Sequence, residues 1–202
     1  MGKKLITACL LSAILSAPAF SDDADVLKSR LDQINSFYAS FTQRVTSAKG
    51  AMVQDSAGKL WVKRPNLFHF HITFPDEIVL VSDGKTLWFY NPFIAQATAT
   101  WLKNTTGNTP IILITRNNPI DWNQYHVTQK GNRFSLEPKS YNSNLNQLTI
   151  TVTANGTIEG FTTVGQDRQR SVYELSIKKT PLEEDKKFYF TLPEGVTLDD
   201  QR

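Results

Sequence analysis

The sequence predicts a mainly β protein, built on an antiparallel sheet that curls or closes around an apolar interior. Apolar and polar residues alternate over several segments, and a period of two places every second side chain on one face of a strand. Short turn sequences, such as Asp83-Gly84 and Asn155-Gly156, separate consecutive strand segments and are typical of hairpins. The longer spacing that joins parallel strands through helices is missing, so serial hairpins favour an antiparallel sheet.

Residues 1–21 have the features of a cleaved secretory signal peptide. Lys3 and Lys4 give a positive start, and the apolar run that follows is too short for an ordinary membrane span. Small residues then lead to a predicted cleavage site after Ser21. We therefore expect residues 22–202 to form a single exported domain.

Cysteine usage and charge narrow the function classes. Cys9, the only cysteine, lies in the predicted signal, so the exported domain would fold without a disulfide bond. Loss of Lys3 and Lys4 with the signal lowers the formal net charge from +3 to +1. A nearly neutral domain argues against binding to nucleic acid or to an anionic membrane surface.

A short amphipathic helix is predicted at the start of the exported domain. Val26, Leu27, Leu31 and Ile34 recur at helical spacing within residues 22–35, with acidic residues at the front. A period of two begins after this helix and predicts strands. The predicted strand segments are residues 37–45, 77–82, 85–91, 147–153, 158–164, 172–179 and 187–192.

Two short helices interrupt the strand pattern. Thr109 and Pro110 supply a capping residue and a first-turn proline before four consecutive apolar residues, and Asn118-Pro119 repeats this arrangement. These segments are apolar on nearly every side, so we expect them to be buried against the inner face of the sheet. An ordinary plug that seals one end of a barrel is the alternative interpretation.

The strand-like segment of residues 61–71 contains an arginine among apolar residues. Arg64 falls on the same alternate row as Val62, Phe68 and Phe70. A charge on an apolar face must pair, donate hydrogen bonds or reach water. Two hypotheses follow: Arg64 extends from the rim to water while its stem covers apolar surface, or it binds something across an apolar cavity.

The residues that carry most enzymatic chemistry do not form a recognisable set. His69 and His71 could face one side of a strand, but catalytic zinc usually needs a third protein ligand, and the remaining histidine is the distant His126. Surface histidines are therefore favoured. Without a nucleophile elbow, P-loop or dinucleotide fingerprint, we expect no enzyme, no cofactor and no metal site. A curved sheet with an apolar inner face instead suits a container for an apolar ligand.

Two blocks of sequence are distinctive. Residues 61–68 are Trp-Val-Lys-Arg-Pro-Asn-Leu-Phe, and residues 80–92 contain Val-Ser-Asp-Gly-Lys-Thr-Leu-Trp-Phe-Tyr. With further segments across the exported domain, they closely resemble the LolA family of periplasmic outer-membrane lipoprotein carriers. The further segments are residues 27–31, 37–45, 97–103 and 192–196.

The resemblance implies an incomplete antiparallel β-barrel covered by a lid of short α-helices, with a cavity for the acyl chains of a lipoprotein. It implies that Arg64 donates hydrogen bonds to lid backbone near Leu31, Ile114 and Thr115 and keeps the empty cavity closed. Phe68 corresponds to an exposed aromatic residue that docks to an inner-membrane ABC transporter. The residues that match acyl-chain cavity positions are Val45, Phe70, Leu80, Ile114 and Phe161.

The resemblance also implies partners and a compartment. A monomer in the periplasm of a Gram-negative cell would take acylated lipoproteins from the transporter and pass them to an outer-membrane receptor lipoprotein. Three alternatives differ in function: a lipid-sensing regulatory domain on the same half-barrel, a hydrolase or metal-dependent enzyme acting on lipids, and the receptor itself. The receptor should carry a lipidated cysteine after its signal, and this sequence contains none at that place.

Overall fold

The computed structural model describes residues 22–105, 110–140, 143–178 and 185–202, and the predicted signal peptide lies outside them. No helix in these ranges is long and apolar enough to cross a membrane. The helices are α1 (Asp23–Leu31), α2 (Pro110–Arg116) and α3 (Pro119–Trp122), with 3-10 turns at Leu102–Asn104 and Asp185–Phe188. The strands are β1 (Ser36–Thr46), β2 (Met52–Lys63), β3 (Leu67–Phe74), β4 (Ile78–Asp83), β5 (Thr86–Asn91), β6 (Gln96–Trp101), β7 (Tyr125–Lys130), β8 (Arg133–Pro138), β9 (Leu145–Val152), β10 (Ile158–Gly165), β11 (Arg170–Lys178) and β12 (Thr197–Asp200).

These strands form one curved, unclosed sheet. Their order is β12-β6-β5-β4-β3-β2-β1-β11-β10-β9-β8-β7, and neighbours pair antiparallel except that β12 runs parallel to β6. β12 and β7 lie at opposite edges and do not pair with each other in the described part of the chain. The predicted fold class, an incomplete antiparallel barrel with a lid of short helices, is confirmed.

Strand register gathers the apolar residues on the inner face. Leu60 lies opposite Phe70, and Phe70 lies opposite Leu80 on the next strand. The strand-like segment of residues 61–71 is in fact two strands joined by a tight turn, where Asn66 has a φ of 69°. The alternation survives the turn because directly paired residues of antiparallel strands face the same side.

A column of aromatic rings crosses the inner face. Phe41 stacks on Phe70 with ring centroids 4.4 Å apart, and Tyr173 stacks on Phe161 at 4.3 Å. Between β1 and β3, the strand β2 has Gly58 at this level, and a Cβ there would lie 2.8 Å from the Phe41 ring. The missing side chain therefore lets the two phenylalanine rings meet across β2.

The C-terminal part of the chain covers the outer face at β3, β4 and β5. The predicted strand at residues 187–192 is wrong: the 3-10 turn ends at Phe188, whose side chain is 1% exposed, and the next residues are not in a strand. Phe190 stacks on Trp88 with centroids 5.2 Å apart. The alternating aromatic residues of segment 187–192 therefore pack against the outer face of the sheet. The edge strand is β12, which was not predicted from the sequence.

Candidate functional site

The helices α1, α2 and α3 pack against the inner face of the sheet and form a lid. Leu27 and Leu31 of α1, residues 111–114 of α2 and Trp122 of α3 are all nearly inaccessible to solvent. They belong to one apolar cluster with sheet residues such as Phe134. The lid is therefore continuous with the hydrophobic core.

Local sequence explains where the lid helices begin. The Asp22 carboxylate accepts a hydrogen bond from the backbone N–H of Ala24, and the Asn118 side chain accepts one from Ile120 at 2.9 Å. Pro119 occupies the first turn of α3. The helices predicted at these places are confirmed, while Thr109, the predicted cap of α2, lies outside the described residues.

Arg64, in the turn between β2 and β3, joins the sheet to the lid. Its Nε and Nη2 donate to the carbonyl oxygen of Ile114 in α2, at 3.2 and 2.9 Å. Its Nη1 donates to the carbonyl oxygens of Leu31 and Ile34, at the end of α1 and just after it. One guanidinium group therefore contacts the lid on both sides.

Burial makes these carbonyl groups necessary. Desolvation lowers the pKa of Arg64 to about 10, and the nearby Asp32 carboxylate opposes this shift. The side chain thus remains charged at neutral pH, and a buried charge needs hydrogen-bond partners. With the lid closed, backbone oxygens provide these partners.

The latch is the set of residues predicted to close the lid: Arg64, Leu31, Ile114 and Thr115. The structure brings three of them together and leaves Thr115 apart. Arg64 reaches the carbonyl oxygens of Leu31 and Ile114, but among the described residues it makes no hydrogen bond to Thr115. The buried Thr115 hydroxyl donates to Ile112 at 3.2 Å. Ile34 was not predicted as an acceptor for Arg64, because every residue carries a carbonyl group and no side-chain pattern marks the one that accepts.

Four of the five predicted cavity residues lie in one place. Phe70, Ile114 and Phe161 belong to the apolar cluster that the lid and the sheet form together, and the partly buried Leu80 packs against it. Val45 is buried but lies outside this cluster. Val45 lies near the C-terminal end of β1, whereas the lid helix α1 precedes the N-terminal end of this strand. This distance along the strand explains why Val45 is not in the cluster.

Phe68 is not exposed, contrary to the sequence-based expectation. Its side chain is 0% exposed and lies in the core cluster with Val62, its direct neighbour across the hairpin. Phe68 lies near the start of β3, four residues after Arg64, and its side chain points to the inner face of the sheet. A docking surface on the closed protein therefore does not include this ring.

Other aromatic and apolar side chains are exposed instead. Phe89 pairs with Leu80, so it faces the inner side of the sheet, and it is 41% exposed. Phe93 and Ile94, in the turn between β5 and β6, are more exposed still. The lid thus leaves part of the apolar inner face open at β5, which the sequence analysis did not predict.

In the described part of the chain, lid side chains pack directly against the sheet. Residues 111–114 are buried together with residues of β1, β2 and β3 in the core cluster. A cleft of about 440 Å³ lies elsewhere, against β1, β2 and β11, and its lining includes Arg44, Asp55 and Glu174. The structure is therefore that of a closed lid, and a ligand between lid and sheet would have to displace α2.

The histidines have local partners. The Nδ1 atom of His69 donates to the carbonyl oxygen of Lys187 at 2.9 Å, and His71 contacts Glu77 at 2.7 Å. His126 is exposed, whereas His69 is partly buried, and burial lowers its pKa. No group of three or more histidine, cysteine or acidic side chains in the described ranges could bind a metal ion.

An unclosed antiparallel half-barrel with an apolar inner face and a helical lid defines a class of apolar-ligand container. The family model described as outer membrane lipoprotein carrier protein LolA matches residues 32–191. The chain belongs to the LolA family. Full-length relatives named outer-membrane lipoprotein carrier protein are 66% identical in Sodalis glossinidius and 60% identical in Yersinia enterocolitica, each aligned over 100% of both chains.

Solved structures share the fold at low sequence identity. A LolA superfamily protein from Nitrosomonas europaea is 15% identical with a TM-score of 0.51, and the alignment covers 85% of this chain and 99% of that one. An uncharacterised conserved protein from Thermus thermophilus is 11% identical with a TM-score of 0.57, over 88% and 98% of the two chains. These two likenesses concern the fold alone.

Proposed function

We propose that this chain is a periplasmic carrier that shields the acyl chains of lipoproteins between its lid and the inner face of its sheet. The observation that carries the proposal is the contact of Arg64 with the carbonyl oxygens of Leu31, Ile34 and Ile114, which connects the sheet to an apolar lid. Such a contact opens and closes without covalent chemistry. Membership of the LolA family and the names of the relatives support lipoprotein as the cargo.

A carrier must release what it binds. Burial of each methylene group contributes about 0.8 kcal/mol, so several long acyl chains would contribute tens of kcal/mol in total. Non-covalent affinities do not exceed about 20 kcal/mol, and a cargo bound so tightly would dissociate too slowly to be transferred. A term that opposes binding is therefore needed.

Opening of the lid supplies this opposing term. Cargo must break the hydrogen bonds of Arg64, each worth roughly 1–3 kcal/mol for a charged donor, and must separate α2 from the sheet. The closed, empty protein is thus favoured over an open, empty one. ATP hydrolysis by an inner-membrane transporter would drive loading, and an outer-membrane receptor with higher affinity would accept the cargo without ATP.

The exposed apolar residues indicate where partners would approach. Phe89 lies on the open part of the inner face, and Phe93 and Ile94 extend from the adjacent turn. Contiguous exposed apolar residues often mark interaction sites. Phe68 would reach a transporter only after the lid opens, so its docking role belongs to the open state.

Co-purification tests the proposal. The full chain is produced in a Gram-negative host and recovered from the periplasmic fraction under conditions that keep cargo bound to the protein. The recovered protein is then analysed by native mass spectrometry. We expect a one-to-one complex with an acylated lipoprotein. The matched control is the same cargo with its acylated cysteine replaced by serine, which should not bind. Equal binding of the unacylated cargo, or recovery of free phospholipid alone, would contradict the carrier and favour a lipid-sensing domain.

A further inference from the structure

One helix of the lid is attached to the wall of the half-barrel. The Asp23 carboxylate of α1 accepts a hydrogen bond from the backbone N–H of Gln129 in β7, at 2.8 Å. Arg30 donates to the carbonyl oxygen of Val152, at the end of β9, and to the Asn132 side chain, at 2.8 and 3.0 Å. These contacts connect both ends of α1 to β7, β9 and the turn after β7.

Close packing and chain connectivity restrain α1 further. A Cβ at Gly156, in the turn between β9 and β10, would lie 2.6 Å from the carbonyl oxygen of Arg30. At its C-terminal end, α1 continues through a four-residue connection into β1, which begins at Ser36. The helix α1 is therefore a fixed part of the lid.

The other two lid helices form a separate unit, residues 110–122, here called the flap. Arg116 of α2 pairs with Asp121 of α3 at 3.2 Å. The indole Nε1–H of Trp122 donates to the side-chain oxygen of Asn117, in the turn between the two helices, at 2.8 Å. These contacts lie within the flap, so α2 and α3 move together.

Asn117 also joins the flap to the fixed helix. Its Nδ2 donates to the Asp32 carboxylate at 2.6 Å and to the carbonyl oxygen of Lys28 at 3.2 Å. The side chain is 6% exposed, and the backbone φ of 46° is one that asparagine tolerates better than most residues. Both polar atoms of this buried amide thus have partners: Trp122 in the flap, Lys28 in α1, and Asp32 immediately after α1.

We propose that Asn117 is a second catch of the lid, which holds the flap against α1 while Arg64 holds it against the sheet. Opening then moves the flap away from a stationary α1, and two polar contacts must break together: Arg64 with Ile114, and Asn117 with Asp32 and Lys28. The inference rests on the proposed function, because it concerns the opening of that carrier's lid. Asn117 acts as a positioning residue and need not touch cargo.

Asn117→Asp tests the catch with little change in shape. The variant keeps an oxygen for the Trp122 indole but replaces the donating amide nitrogen with an oxygen that faces the Asp32 carboxylate. Combining it with Asp32→Asn exchanges donor and acceptor, so this pair should restore the contact in part. Rescue by the exchange is not expected if Asn117 serves only the internal packing of the flap.

Residues 22–202 contain no cysteine, so thiols introduced there can report on each helix separately. Leu113→Cys places a thiol in the flap and Leu27→Cys places one in α1, where the parent residues are 2% and 0% exposed. In the cargo-free protein, we expect Asn117→Asp to raise the labelling rate at position 113 about tenfold and to leave position 27 within about twofold. The Asp32→Asn exchange should return the rate at position 113 towards the parent value.

The outcomes separate this inference from the proposed function. Unchanged labelling at position 113, an equal rise at both positions, or failure of the exchange to rescue would each overturn the second catch. Arg64→Leu is measured in the same thiol backgrounds. If it raises labelling at position 113 while Asn117→Asp does not, the catch is wrong and the gated carrier stands. If neither variant changes labelling, lid gating itself fails.

Discussion

Arg64 is charged at neutral pH, and its side-chain hydrogen bonds to the described residues all go to backbone carbonyl groups. Two of its acceptors are Leu31, at the fixed end of α1, and Ile34, in the connection that follows, and the third, Ile114, lies in the flap. Because carbonyl groups do not titrate, the contact does not depend on the protonation of an acidic partner. The strength of the closure is therefore set by hydrogen bonding and solvent access to the guanidinium.

Arg64→Leu should yield a folded protein that loads lipoprotein but releases it poorly. Leucine removes the contact that opposes the open, loaded state, so transfer to a receptor should slow by about tenfold or more. The measurement is the rate at which preloaded cargo moves to an outer-membrane receptor. Arg44→Leu is the matched control, since Arg44 pairs with Asp55 on the exposed outer face. Equal transfer rates for the two variants would argue against the latch.

Phe68→Glu should destabilise the whole protein. A carboxylate at a fully buried position lacks compensation, so we expect the free energy of unfolding to fall by about 3 kcal/mol or more. Urea denaturation measures this change, and Phe93→Glu, at a side chain that is 87% exposed, should change it by less than about 0.5 kcal/mol. Equal stability of the two variants would mean that Phe68 is exposed in solution and that the lid is mostly open.

Elements whose formation is local were predictable from the sequence. The hairpin turn at Asp83-Gly84 has the geometry that these residues favour, since the Asp83 carboxylate accepts from the backbone N–H groups of Lys85 and Thr86. The cap at Asn118 likewise sets the start of α3 within one residue. Turn and cap chemistry depends on neighbours in the chain, so a single sequence contains it.

Elements that depend on distant partners were not predictable. β12 has the sequence Thr-Leu-Asp-Asp, without alternation, and becomes a strand because the edge of β6 offers its backbone groups. Residues 187–192 do alternate, but Phe188 and Phe190 fill sites on the outer face. In both cases tertiary contacts outweigh local propensity.

Gly58→Ala should weaken the aromatic column and the pairing of β2 with β3. The added Cβ would lie 2.1 Å from the carbonyl oxygen of His71 and 2.8 Å from the Phe41 ring. We expect a loss of about 2 kcal/mol in the free energy of unfolding, measured with urea. The Phe41→Leu background removes the ring clash but not the carbonyl clash, so Gly58→Ala should cost less there. Wild-type stability of Gly58→Ala would show that the two strands separate easily.

At the scale of the whole molecule, the lid helices cover the apolar inner face that the unclosed sheet would otherwise expose. β12 and β7 are edges of the described sheet, and the core extends from the sheet into the lid helices. On the outer face, Lys63 pairs with Asp185 at 2.5 Å and His69 donates to the carbonyl oxygen of Lys187. Segments that are remote in sequence therefore cover part of each face of the sheet.

The free energy of unfolding should fall as the pH decreases through 6.5. Burial lowers the pKa of His69 below 6.5, and its buried Nε2 has no hydrogen-bond partner among the described residues. The unfolded chain then binds more protons than the folded one, so acid favours unfolding, while above pH 6.5 both states are neutral and the effect vanishes. Urea denaturation at pH 7.5 and pH 5 measures it. His69→Gln should reduce this pH dependence, and His126→Gln, at an exposed site, should not. An identical pH dependence in the wild type and both variants would show that groups other than His69 cause it.

The sequence by itself determined the antiparallel class, the hairpin turns at Asp83-Gly84 and Asn155-Gly156, and the three α-helices, and it identified Arg64 as a charge among apolar residues. Periodicity, turn residues and an arginine on an apolar row carry this information over a few neighbouring residues. The tertiary structure decided that Phe68 is buried, that Ile34 accepts from Arg64, and that Asn117 connects two lid helices. Each of these depends on which backbone atoms and side chains of distant segments meet, and a linear pattern does not specify such contacts because every residue offers the same backbone groups.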